Sequence, residues 1–224
     1  MLNNDDFNYT TLLPLFTQFD MKTIIKSPSN VELKKYVSNT ITYDSTSTIL
    51  PFNELNYKTI NEDNIQSDIY DFLKVPPDKN SYYYVLGEYF SNIVDHSEFT
   101  KAYFTAQEYP NEGLLDLNII DDGVSIPGSY SKNPNLKDNE YMEKAIKGES
   151  TKNECLRGFG LRTTVKYITS VPRGEILIVS HRGLYYKKNN KVLSKRTKYG
   201  HVDGTFISIR FDSENLHDLM HYVE

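Results

Sequence analysis

Between Tyr82 and His96 the chain sets Val85, Leu86, Tyr89, Phe90 and Ile93 at helical spacing, and on the same stretch Glu88, Asn92 and His96 stand four residues apart. The first set predicts an amphipathic helix whose apolar stripe enters a core. The second stacks a carboxylate, an amide and an imidazole along one face. That face lies beside the apolar stripe, not diametrically opposite it, so the three groups are expected at the edge of a core. A polar row in that place is either a helix rim or the wall of a site able to handle a metal ion and a water.

The pattern around this helix is mixed. Val31–Val37 and Ile65–Leu73 read as helices, Thr40–Ile49 leans to strand, and Thr11–Phe19 fits either. Val75-Pro-Pro-Asp-Lys-Asn80 is a breaker that reads as a linker. Beyond the helix, Lys101–Tyr109 and Leu114–Ile120 read as strands around a turn at Asn111–Gly113. Residues 128–140 read as a loop, Tyr141–Ile146 as a short helix, and Leu161–Ser170 as a longer one. Gly174–Ser180, Leu184–Lys188, Lys191–Ser194 and Gly204–Phe211 read as strands, with Asn189-Asn190 as a hairpin turn. Asn215–Val223 reads as a terminal helix. Helices interleaved with hairpin-joined strands predict an α+β fold, a two-layer sandwich with helices over one face of a mixed sheet. Residues 1–78 are expected to form a small N-terminal α/β appendage that packs against a domain at 79–224.

Charge is unevenly placed. Residues 1–150 hold 12 Lys against 23 Asp and Glu, a net of −11, and residues 151–224 hold 13 Lys and Arg against 7 Asp and Glu, a net of +6. Every arginine lies at position 157 or later. A basic final third suits phosphates or nucleic acid, or is a solvated face. No apolar run approaches the roughly 20 residues of a membrane span, and the N-terminus has no signal-peptide pattern. The single cysteine, Cys155, excludes an internal disulfide. These features lead to the expectation of a cytoplasmic protein with no membrane association.

Three glycine-bearing spots follow the helix. Asp121 and Asp122 close a buried strand, and Gly123 comes next. A carboxylate there can accept a hydrogen bond from an exocyclic amine, beside a residue without Cβ. Gly158-Phe-Gly160 precedes a helix whose free N–H groups favour phosphate. Gly204-Thr205 opens the last strand and adds a hydroxyl.

In this order the set resembles the ATP-binding domain shared by DNA gyrase, heat-shock chaperones, histidine kinases and MutL, the GHKL superfamily with the Bergerat fold. The resemblance spans about residues 81–211. Glu88-x3-Asn92-x3-His96 resembles the N box. Asp121-Asp-Gly-Val-Ser-Ile-Pro127 resembles the first glycine box, Gly158-Phe-Gly-Leu161 the second, and Gly204-Thr205-Phe206 the closing Gly-Thr. The resemblance implies that ATP and Mg2+ are the cofactors. It makes Asn92 the Mg2+ ligand and Glu88 the general base. Asp121 would bond the adenine amine with Thr205 in support, and Gly123 would let the ring approach. Gly158 and Gly160 would hinge a lid at about residues 128–157 and offer N–H groups to phosphates. His96, Ile126 and Leu161 complete the implied binding residues. Ser125 departs from the usual second glycine of the first box; a positive φ there would cost about 1–2 kcal/mol. Asp122, where Asn is frequent, departs less.

No histidine precedes His96, so the phosphoacceptor helix of a conventional histidine kinase has no acceptor. The 13 residues after Phe211 leave no room for a transducer domain. The expectation is a stand-alone histidine kinase-like ATPase, or a protein kinase acting on a separate protein partner. The alternative is a non-catalytic ATP-dependent switch, and behind it a nucleic-acid-associated ATPase that uses the basic, tyrosine-bearing hairpin at 185–199. A homodimer is compatible with each. His217 and His221 form at most half a metal site, and Cys155 reads as an incidental small residue of the lid.

Overall fold

Asp78 fixes the start of the central helix by accepting a hydrogen bond from the Ser81 N–H at 2.9 Å. This capping satisfies one of the donors that a helix start leaves unpaired. The computed structural model describes residues 49–55, 62–73, 78–130, 135–149, 159–196, 202–212 and 215. Over these the elements run β1 (Ile49–Leu55), α1 (Glu62–Phe72), α2 (Lys79–His96), β2 (Ala102–Tyr109), β3 (Leu114–Asp121), α3 (Ile126–Ser129), α4 (Asp138–Ile146), α5 (Phe159–Ile168), β4 (Glu175–His181), β5 (Gly183–Lys188), β6 (Lys191–Arg196) and β7 (Val202–Asp212). The fold is α+β. The expected elements at Thr11–Phe19 and Val31–Val37, nearly all of Thr40–Ile49, and the terminal helix beyond Asn215 lie outside the described residues.

The strands form one seven-stranded sheet in the order β1-β2-β3-β7-β4-β5-β6, and every neighbouring pair is antiparallel. The expected mixed sheet is therefore corrected to an antiparallel one. The physical reason is that β7 enters between β3 and β4, so these two strands, which run parallel and are joined across α3, α4 and α5, never pair with each other.

Cross-strand pairing sorts the side chains. Phe104 opposes Ile119, Ile119 opposes Ile207, and Ile207 opposes Ile178, so one face carries an apolar band across four strands. Leu86, Phe90 and Ile93 of α2, Met142 of α4, and Val165 and Ile168 of α5 share a single core with that band. α1 joins through the Tyr82 hydroxyl, which donates to the Gln66 carbonyl at 3.1 Å. The described parts of the N-terminal segment thus belong to this sheet and helix set: β1 pairs with β2, and Leu55 and Ile69 are in the core.

The stretch between β3 and α5 departs from expectation. The loop read at 128–140 contains the end of α3 and the start of α4. Ser125 caps α3 by accepting from the Gly128 N–H at 3.1 Å, with Pro127 in the first turn. Glu140 reaches back to the Lys137 N–H at 2.5 Å, which starts α4 three residues before Tyr141. The Asn-Asn turn behaves as read, with Asn189 at φ 51°.

The opposite face of the sheet is also buried, and it carries charge. Arg210 donates to both Asp116 oxygens at 2.6 and 2.8 Å and to Glu175 at 2.8 Å, and the Tyr186 hydroxyl donates to Glu175 at 2.9 Å. Glu175 is fully buried. Arg210→Met would leave two buried carboxylates without their shared cation. We expect it to cost about 3–5 kcal/mol, read as a lowered midpoint of urea unfolding with an unchanged slope.

Candidate functional site

The sheet and α2 meet where the apolar band ends in polar residues. Asp121 closes β3 and pairs with Thr205 of β7, which pairs with Ser180 of β4. The three lie on the helix-covered face, one step past Ile119, Ile207 and Ile178. Above them runs the polar row of α2. The space between is a cavity of about 500 Å3, lined by Glu88, Asn92, His96, Asp121, Ile126, Gly160, Leu161 and Thr205 together with Tyr84, Ile119, Ile207 and, at and just past the end of α4, Ala145, Gly148 and Glu149. A volume of that order suits a small-molecule ligand. Eight of the ten residues expected at the site line this one cavity. Gly158 lies outside the described residues, and Gly123 is not part of the wall.

Gly123 serves the site from behind. Its N–H donates to Asp121 Oδ1 at 2.9 Å. A Cβ on Gly123 would fall 2.0 Å from the Ser97 carbonyl oxygen, so the missing side chain lets the loop close on the end of α2. Asp122 completes this junction by accepting from the Thr100 N–H at 2.8 Å and the Lys101 N–H at 2.7 Å. Ser125 has φ −69°, so the strain considered for a serine at this position does not arise.

Burial pushes the Asp121 carboxyl up to about 7, against N–H groups of Gly123 and Thr205 that pull it down and the neighbouring Asp122 charge that adds to the rise. Burial also raises the Glu88 carboxyl. Among the described residues no hydrogen-bond donor reaches the Glu88 carboxyl. It packs instead on the backbone of α5, where a Cβ on Gly160 would stand 1.7 Å from Glu88 Oε2. Gly160 therefore sets how closely the carboxylate approaches the first turn of α5, and a helix start favours negative charge.

Asn92 donates its Nδ2 to the Glu88 carbonyl at 2.5 Å, one turn back along α2. That bond fixes the amide so that Oδ1 is the atom left to accept, the correct polarity for ligating a hard cation. Among the described residues no three His, Cys, Asp or Glu side chains converge to hold a metal.

The expected lid is in part a docked helix. Asp138 accepts from the Arg182 N–H at 3.2 Å and meets His181 Nδ1 at 2.9 Å, and Ser194 donates to Glu143 at 2.5 Å. These contacts hold α4 on the β4–β5 turn and β6. Residues 131–134 and 150–158 of that segment are outside the described set.

Reading the sequence missed Ser180. It is fully buried, and its hydroxyl bridges Ile126, Gly204 and Thr205. The only signal was a hydroxyl where the apolar alternation Ile176, Ile178 stops.

Protein-family models and curated proteins yield no match to this chain.

The Asp121 carboxyl generates a pH prediction. Its pKa is raised on folding, so the protonated form is the one the fold favours. Its contribution is fully present below the unfolded value near 3.8 and is lost as pH rises through about 7. Without ligand, the wild type should lose roughly 4 kcal/mol more than Asp121→Asn between pH 4 and pH 8. Parallel urea titrations of the two proteins across that range measure it, and identical pH profiles would contradict the buried-acid assignment.

Proposed function

We propose that the chain binds ATP with Mg2+ in the cavity between α2 and the β3–β7–β4 edge, as a GHKL module with a two-layer Bergerat sandwich. The observation that carries the reading is the meeting, in one cavity, of the α2 row Glu88, Asn92, His96 with Asp121 and Thr205 at the ends of two sheet strands and with Gly160 and Leu161 at the start of α5. The four stretches that carry the sequence resemblance are far apart in the chain. Chance short motifs have no reason to line one space.

In this proposal Asp121 and Thr205 hold the base and Ile126 packs near it. The first turn of α5 turns N–H groups toward phosphate. Asn92 Oδ1 would hold Mg2+, which supplies charge neutralisation at the phosphates when bound. The fit rests on the amide polarity set by the Asn92–Glu88 bond and on the cavity volume. Glu88 would take the proton of an attacking water or of an acceptor side chain, and its burial raises its affinity for that proton. A separate protein partner and a cytoplasmic setting belong to the proposal. Among the described residues no helix is long and apolar enough to cross a membrane.

The switch reading has one specific observation in its favour. No Lys or Arg is among the described residues lining the cavity, while Glu88, Asp95, Asp121 and Glu149 are. Phosphoryl transfer is driven largely by positive charge placed on the transferring group. We therefore expect slow turnover by the isolated chain.

Two outcomes test the proposal. ATP with Mg2+ at about 100 times Kd should stabilise the protein by about 2.7 kcal/mol, which raises Tm by roughly 5–10 °C. Asp121→Ala should remove most of that shift. Absence of any shift in the wild type at millimolar ATP would end the nucleotide assignment.

With γ-labelled ATP, Glu88→Ala should retain the thermal shift and lose release or transfer of phosphate by about 10²–10⁴-fold. Asn92→Ala should weaken both. A Glu88→Ala protein with an unchanged chemical rate would remove Glu88 from the role of base. Binding without turnover in the wild type, even with cell extract added, would select the switch.

A further inference from the structure

Ser180 does not line the cavity, yet its hydroxyl is bonded to the residue that does. The Ile126 N–H donates to Ser180 Oγ at 2.8 Å, Ser180 Oγ lies 3.2 Å from the Gly204 carbonyl, and Ser180 Oγ and Thr205 Oγ1 are 2.8 Å apart. A serine hydroxyl has one proton and two lone pairs. The Ile126 N–H occupies one lone pair. The Gly204 carbonyl can only accept, so the Ser180 proton goes to it. The remaining lone pair must then accept from Thr205, and this commits the only hydroxyl proton of Thr205. The Thr205 N–H is committed as well, to the Asp121 carboxyl, which also accepts from Gly123.

We infer that Ser180 locks the Thr205 hydroxyl as a hydrogen-bond acceptor toward the cavity, so that the site selects a base whose facing edge carries an amino group over one that carries an oxo group. The inference rests on the proposed placement of a purine against Asp121 and Thr205. With Ser180 in place, the Asp121 carboxylate and Thr205 Oγ1 present lone pairs side by side on paired strands. An exocyclic amine brings two hydrogens to such an edge. An oxo oxygen brings lone pairs against lone pairs in a buried place, and the unmet polar groups oppose binding. Without Ser180 the Thr205 hydroxyl is free to rotate and donate, and only the Asp121 carboxylate is left to discriminate. Ser180 is a positioning residue, since it acts through Thr205.

The test compares affinities of the full chain for ATP and for inosine triphosphate, both with Mg2+, at pH 8, where Asp121 is ionised. These nucleotides differ in the base at position 6, amino against oxo, and in the proton on the adjoining ring nitrogen. The wild type should prefer ATP by roughly 10–100-fold. Ser180→Ala should lower that ratio by about three- to tenfold, the rest being kept by the Asp121 carboxylate, and Ser180→Thr, which restores a hydroxyl, should return most of the loss. Should the alanine variant fail to fold, Ser180→Cys replaces the hydroxyl with a weak partner of similar size and should lower the ratio in the same direction.

A wild type that binds the two equally overturns the inference. So does a variant that loses affinity for both nucleotides equally, because a merely structural role would do that. In either case ATP binding itself stands, and the proposed function with it. A wild type that binds neither nucleotide fails the proposed function first and carries this inference down with it.

Discussion

Everything at the site depends on how α2 lies on the sheet. Its apolar stripe, with Val85, Leu86, Phe90 and Ile93 buried at 5% exposure or less, is held by a band of Ile, Leu and Phe from β2, β3, β7 and β4. Fixing that stripe fixes the rotation of the helix about its axis. Glu88, Asn92 and His96 then have no freedom to turn elsewhere and must face the end of the band. Rotating the helix by one residue would bury carboxylate and amide in hydrocarbon at several kcal/mol. The hydrophobic contact therefore does the aiming for the polar row, and the chemistry inherits its precision from packing.

The sheet contributes the other wall by the same economy. Antiparallel register puts Asp121, Thr205 and Ser180 side by side without any loop to position them. Sites built on paired strands are held more tightly than sites on loops. Two glycines then bring the remaining backbone in. Gly123 closes the chain on the end of α2, and Gly160 brings the first turn of α5 against Glu88. Each acts by what a Cβ would collide with, and each joins two elements that are remote in sequence.

How much of this was legible follows from the range of the interactions. The α2 helix was legible because its signal is local, a stripe repeating within eighteen residues. Strands β2 to β7 and the Asn189 turn were legible for the same reason, whereas β1 meets the expected strand only at Ile49. The antiparallel order was not, since it depends on β7 entering between β3 and β4, which no local pattern announces. The buried polar face was misleading as sequence. Asp116, Asn118, Glu175, Ser208 and Arg210 alternate with apolar residues, as a solvated face does, yet all but Arg210 are buried. Their partners are distant, with Asp116 and Arg210 separated by 94 positions. Ser180 was invisible on the same ground, for its meaning lies in bonds to Ile126 and Thr205 across 54 and 25 positions. Asp121 was legible as a candidate from its neighbours alone, whereas its raised pKa is a property of the closed site.

Charge gives the cavity its last constraint. Four carboxyl groups, from Glu88, Asp95, Asp121 and Glu149, line it, with His96 as the basic counterpart among the described residues. A polyanion entering such a space meets repulsion that a partly excluded solvent screens poorly. Three features reduce it. The Asp121 carboxyl is half protonated near neutral pH. The Glu88 carboxyl lies against the first turn of α5, and its burial raises its affinity for a proton, which lowers its charge. Asn92 presents an oxygen suited to a hard cation that arrives with the ligand's own oxygens. Under the proposed function this makes the cation a condition of phosphate entry, since no side-chain cation in the described wall takes its place. It also separates binding from chemistry. Binding needs only that the net charge of ligand and cation be tolerable, whereas transfer needs positive charge at the reacting phosphoryl group itself. Under the proposed function, a wall of this composition suits the first and leaves the second to positive charge supplied by a protein partner.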